Sequence, residues 1–274
     1  MIICAVLALV LGYVGSAIHS GTGGASTAAA ATSPSESWVS AVKKRGELRV
    51  GVAVSPPLVV QSGKNWSGPY LLPMKNLAKA LGVKFVPVGT TYANIVSGLQ
   101  AGQYDAAAAL DLTIPRAMSI QYTAPLMSET KVFVKKKSSS YNTAASINAT
   151  NLPVAVPTGT TQESAIQQLG KKPLSLDSYS DALQAVDSGR AAATFAGLGT
   201  AVQQVKSDSS LAIVVPSTDI LTSVSGYGVP QNIDASSLSL IDIAINDSIS
   251  SGSFNAALTK AGYVTLDNLG SLEK

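Results

Sequence analysis

Short β-branched runs and amphipathic stretches alternate twice along this chain, first over 48–110 and again over 131–215. Leu48-Arg49-Val50-Gly51-Val52 reads as a strand that Pro56-Pro57 breaks. A helix follows over 71–81, with Pro73 in its first turn. Then come a strand over 84–88, a helix over 93–99 closed by Gly102, and a largely alanine strand over 104–110. The second round has strands at 131–134 and 154–156 and a helix over 161–169 opened by Gly159-Thr160-Thr161. Ser180 predicts the cap of a helix through Val186, closed by Gly189. A strand over 191–196, a helix over 200–206 and a strand over 212–215 complete the round. Upstream, Ser33-Pro34-Ser35-Glu36 has the form of a capping box for a short helix through Trp38 and Val42, ended by Gly46. Downstream, 226–229 is extended, and helices are expected around 238–249 and 254–261. Such alternation implies an α/β fold with a mostly parallel sheet. Two units joined by extended crossovers predict a cleft between them, a favoured place for a ligand.

Composition excludes much of the chemistry such a cleft could host. The only histidine is His19 and the only cysteine is Cys4. Both fall before the expected folded part, Cys4 in the leader and His19 in the tether described below. The rest of the chain therefore has no His- or Cys-dependent nucleophile, no His/Cys metal site and no disulfide. No metal or cofactor is expected. Basic residues number 19 against 16 acidic, a net charge of +3 without a basic stripe, which argues against nucleic acid.

Residues 2–14 form an apolar run too short to span a bilayer, which needs about 20 residues. They fit the apolar region of a secretory signal peptide, with Gly15-Ser16-Ala17 as small residues near a cleavage point. No Lys or Arg precedes the run. Residues 1–17 are read as a signal peptide or N-terminal anchor, and 18–35, rich in Gly, Ser, Thr and Ala, as a flexible tether. The folded part is then exported, to the periplasm or the cell surface.

An ordered series of short motifs runs through that part. It comprises Lys43-Lys44-Arg45-Gly46-Glu47-Leu48-Arg49-Val50-Gly51, Pro56-Pro57, Tyr104-Asp105, Thr113-Ile114-Pro115-Arg116 and Tyr122-Thr123-Ala124-Pro125. It continues with Gly159-Thr160-Thr161, Asp181-Ala182-Leu183 with Gly189-Arg190, and Tyr227-Gly228-Val229. In order and spacing the series resembles the extracytoplasmic solute-binding proteins of ABC importers, in the branch that binds polar amino acids. The resemblance implies a two-lobed periplasmic-binding-protein fold of type II. Lobe 1 would comprise 36–124 and a return segment 226–274, and lobe 2 would comprise 125–225. It further implies a monomer that closes on a small-molecule ligand by hinge motion, with an ABC permease as membrane partner.

Site residues follow from the same resemblance. Arg116 matches the arginine that grips a ligand carboxylate through two charge-assisted hydrogen bonds. Thr113 caps the helix that follows and faces the ligand. Tyr92 matches an aromatic wall. Gly159, Thr160 and Thr161 open a lobe-2 helix whose free N–H groups suit an anion, and Gln162 lies in its first turn.

The chain also departs from the pattern. The lobe-2 carboxylate that holds a ligand ammonium in this branch is replaced by Gly197. A lobe-1 Thr or Ser is replaced by Asp111. Two readings follow: Asp111 takes over the ammonium contact, or it pairs with Arg116 and the ligand is not an ordinary α-amino acid. The walls read as aromatic-poor and Ala-rich, disfavouring a large ring ligand. Alternatives to a receptor are a dehydratase using Asp111 or Glu163 as proton donor, and a sensor without transport.

Overall fold

The computed structural model describes residues 36–216 and 221–269. The expected leader and tether lie outside the described residues, as do Ser33 to Ser35 of the expected capping box. Helix α1 (Trp38–Arg45) is capped instead by Ser37, whose side chain accepts from the Ser40 N–H, and it ends at left-handed Gly46.

Lobe 1 is built around β1 (Glu47–Val52), which pairs in parallel with β4 (Lys84–Gly89) and β5 (Ala106–Asp111). Between them lie a small hairpin of β2 (Val60–Ser62) and β3 (Asn65–Ser67), then α2 (Leu72–Leu81) and later α3 (Ile95–Gln100). The short α4 (Ile114–Ala117) and β6 (Gln121–Tyr122) follow β5. Asp105 ties this sheet to α1 through Arg45 (2.5 Å), Arg49 (3.0 Å) and the Arg49 N–H (2.8 Å).

The next strand, β7 (Met127–Lys136), serves both lobes. Lobe 2 continues with α5 (Ala144–Ala149), β8 (Val154–Pro157), α6 (Thr161–Gln168), β9 (Pro173–Leu176), α7 (Tyr179–Asp187), β10 (Ala193–Gly197), α8 (Leu198–Ser207) and β11 (Leu211–Val214). The chain returns along β12 (Thr222–Val229) and ends in α9 (Ala235–Ser250) and α10 (Ser253–Lys260). Serine 178 caps α7, two residues before the expected Ser180. The pattern was sound there, but two serines competed for one cap.

The strand order is β4-β1-β5-β12-β7-β10-β8-β9. Within each lobe the outer strands are parallel, as β1–β4 and β8–β9 show. The crossover strands run antiparallel. Residues Met127 to Thr130 of β7 pair with β12, while Lys131 to Val134 pair with β10. One strand thus changes partners midway, and the lobes divide at that point.

Each lobe has its own apolar core. Val50, Tyr70, Met74, Tyr227, Ile241 and Phe254 fill lobe 1, and Phe133, Val154, Ile166, Phe195 and Val214 fill lobe 2. One part of the expected lobe-1 return segment departs from its assignment. Val264, Leu266 and Leu269 pack with Val132, Val134, Leu198 and Val202, on lobe 2. Leu269 is 1% exposed there. After α10 the chain therefore crosses between lobes a third time, because its apolar side chains complete the face that α8 leaves open.

Candidate functional site

Where β5, β7 and β12 meet, side chains from both lobes enclose about 440 Å³ of atom-free space, part of it open to solvent. Lobe 1 contributes Ser55, Tyr70, Tyr92, Ala109, Asp111 and Arg116, and lobe 2 contributes Thr160, Thr161, Gln162, Tyr179 and Thr200. Glu129 and Ser225 come from the crossover strands. Ala109 has a left-handed φ of 59°, opposite a register shift in β12 at Gly226–Gly228. Irregularities of this kind re-aim side chains at the edges of sites. Both Ala109 and Asp111 line the cleft.

Arg116 is held by main-chain oxygens, one from each lobe: Nη1 donates to Asp111 O at 3.1 Å and Nη2 to Gly159 O at 2.7 Å. Its guanidinium has no carboxylate partner among the described residues. The Asp111 carboxylate is engaged elsewhere, with Lys131 Nζ at 3.3 Å and the Thr161 hydroxyl. Lys131 is 5% exposed and also donates to Thr161. Asp111 does not pair with Arg116 through its carboxylate, and its charge is already met by a lysine the sequence reading did not single out.

Gly197 is not among the residues lining the cleft. A Cβ placed there would lie 2.1 Å from Glu129 Oε2, so the Glu129 carboxylate fills the space where a residue-197 side chain would begin. Glu129 Oε1 accepts the Gly199 N–H, at the start of α8, at 3.2 Å. Burial raises this carboxyl from 4.5 to about 7, and the Asp111 charge pushes the same way, against the Gly199 hydrogen bond and the Lys131 charge.

Gly159 of lobe 2 packs against the lobe-1 backbone. Its φ is +76°, and a Cβ there would stand 2.8 Å from Ala93 Cα and 2.9 Å from Tyr92 O. Thr160 caps α6, accepting from the Glu163 N–H. Thr200 Oγ1 donates across the cleft to Pro56 O at 2.8 Å. Thr113 caps α4 but lies on an outer groove shared with Gly159 and Glu163, not in the inner cleft. Glu163 binds the Gly159 N–H at 2.8 Å and the Ser175 hydroxyl, which occupies it structurally.

The expectation of aromatic-poor walls is corrected. Tyr70, Tyr92 and Tyr179 all line the cleft, with Tyr92 and Tyr179 edge to face at 6.3 Å. Burial raises the Tyr92 hydroxyl to about 12, so it stays protonated at neutral pH. Sequence reasoning missed Tyr70 and Tyr179 because they lie more than a hundred residues apart and only the fold brings them together.

Two α/β lobes closing over a charged, tyrosine-walled cleft define a bilobal ligand-binding protein. Residues 48–261 match the bacterial extracellular solute-binding proteins, family 3, and the chain belongs to that family. It is a solute-binding receptor. A comparison with curated protein sequences returned no match. Among solved structures, an ancestral amino-acid-binding protein, a precursor of cyclohexadienyl dehydratase, is 25% identical. The match covers 82% of this chain and 99% of that one, at a TM-score of 0.74. An ancestral arginine-binding protein bound to arginine is also 25% identical, covering 79% of this chain and 98% of that one, at a TM-score of 0.70. A mutant of the ArgBP protein of T. maritima shares the fold at 24% identity, covering 82% and 99%, at a TM-score of 0.74.

Proposed function

We propose that this receptor is exported, works as a monomer, and captures a small polar amino acid or a close relative between its lobes for delivery to an ABC permease. One observation carries the reading. Arg116 presents a guanidinium in the cleft, oriented by carbonyls of both lobes and without an acidic partner. A planar fork held in this way suits a carboxylate. Thr160, Thr161 and Gln162 at the start of α6 supply further polar contacts from the opposite lobe. A ligand touching both sides favours the closed state by its differential affinity. Binding without turnover accords with the family, and Asp111 and Glu163 already have partners that a proton donor would have to leave.

Thermal melting of the full chain with each of the twenty common amino acids tests this. A ligand at a hundred times its Kd adds about 2.7 kcal/mol. For a chain of this size that is a rise in Tm of roughly 5–11 °C. The rise should vanish in Arg116→Ala. If no amino acid raises Tm, or if Arg116→Ala responds as the wild type does, the reading is wrong.

A further inference from the structure

Two ionic groups lining the cleft, Arg116 and Glu129, have no ion-pair partner among the described residues. Asp111 and Lys131 satisfy one another at 3.3 Å. Among the described residues no cation lies within ion-pair distance of Glu129, and only its Oε1 accepts a hydrogen bond, from Gly199. Three tyrosines line the cavity with it, and their π faces attract cations. Ser55 lines it too, 5% exposed, beside the Tyr92 hydroxyl.

We propose that Glu129 receives the cationic nitrogen of the ligand, so that the receptor selects zwitterions whose carboxylate engages Arg116 and whose ammonium engages Glu129. The proposal rests on the reading of the cleft as an amino-acid site. The spatial swap at Gly197 argues for it. Glycine at 197 leaves the volume that Glu129 fills, with Oε2 within 2.1 Å of the missing Cβ. Glu129 thus reaches from the neighbouring strand β7 into the space that a residue-197 side chain would enter. The rival explanation is that Glu129 only caps α8. A cap would be indifferent to whether the ligand has an amino group.

Calorimetric titration of the full chain at pH 8 separates the two. The probes are L-alanine, L-glutamate and L-arginine, each with the acid lacking its α-amino group: propionate, glutarate and 5-guanidinopentanoate. The wild type should bind at least one amino acid more tightly than its desamino partner, by about ten- to a hundredfold, the range for a hydrogen bond to a charged group. Glu129→Gln retains an oxygen for the Gly199 N–H. It should lose that preference while binding the desamino acid as before. Glu129→Ala combined with Gly197→Asp should recover the preference that Glu129→Ala alone lacks. If Glu129→Gln binds the amino acid within about twofold of the wild type, or weakens both probes equally, the proposal fails and the amino-acid reading stands. If no amino acid binds the wild type while the desamino acids do, the amino-acid reading fails together with the proposal.

Discussion

Replacing Glu129 by Gln should stabilise the ligand-free receptor, and the gain should depend on pH in a defined direction. The carboxyl is raised from 4.5 in the unfolded chain to about 7 in the fold, chiefly by burial. The groups within its electrostatic reach are Asp111 on β5, Lys131 on β7, and the hydroxyls of Tyr70, Tyr92, Tyr179 and Tyr263. A raised carboxyl favours the folded state while it is protonated. That contribution is complete below pH 4.5, falls as pH rises, and is gone above about 7. At 1.36 kcal/mol per factor of ten in proton affinity, the ionised fold carries a cost of about 3 kcal/mol at pH 8. This figure is a ceiling, because part of the carboxylate faces the cleft rather than protein. Glutamine has no charge to bury and keeps the acceptor for Gly199. At pH 8 Glu129→Gln should therefore melt above the wild type by up to roughly 6–12 °C. The difference should shrink to nothing by about pH 4.5. Differential scanning calorimetry across pH 4.5–8 measures it directly. A difference that is flat with pH, or a variant that melts lower at pH 8, would refute the assignment of a buried, charge-bearing cleft acid. A site kept less stable than it could be is the usual mark of a binding group under functional demand.

Two further substitutions probe closure and the neighbouring ion pair. Gly159→Ala would push a Cβ into the backbone of Tyr92 and Ala93 at 2.8–2.9 Å when the lobes meet, in addition to the local strain of alanine at a φ of +76°. Its expected result is at least about tenfold weaker ligand binding, with X-ray scattering showing a more open ligand-bound form; unchanged binding would contradict it. Asp111→Ala leaves the buried Lys131 without its counter-charge, which should cost about 3–5 kcal/mol in chemical denaturation. Asp111→Ala combined with Lys131→Met should recover most of that loss.

The fold was readable where local chemistry and tertiary context agreed. The β-branched run at Leu48 to Val52 and the left-handed Gly46 closing α1 behave in the structure as their chemistry suggests. The hairpin at Val60–Ser62 and Asn65–Ser67 escaped because Gln61, Ser62, Asn65 and Ser67 offer no apolar alternation. Strand β9 escaped because it begins at Pro173, a residue that usually ends regular structure. At the site, Arg116 stood out as part of a compact local motif. Glu129 did not, since its meaning depends on Gly197 and Gly199, about seventy residues away, which leave space for its carboxylate. The vacancy at Gly197 was visible in the sequence, but the group that fills it is two residues from the point where β7 exchanges partners, and pairing registers are not written in any one segment. Lys131 was hidden in the same way, within what reads as an ordinary strand.

The way the chain threads between lobes also decides when either lobe can exist. β12 lies between β5 and β7 in the sheet, so lobe 1 lacks an interior strand until Val229 is available. Lobe 2 lacks part of its core until Leu269 seats against Val132 and Leu198. A chain emerging from its N-terminus as it is synthesised can thus complete neither unit early, although domains usually fold in order of appearance. Both halves mature together, at the end. For a receptor exported as proposed above, such late and joint completion would leave neither lobe whole until the last residues of the chain are free.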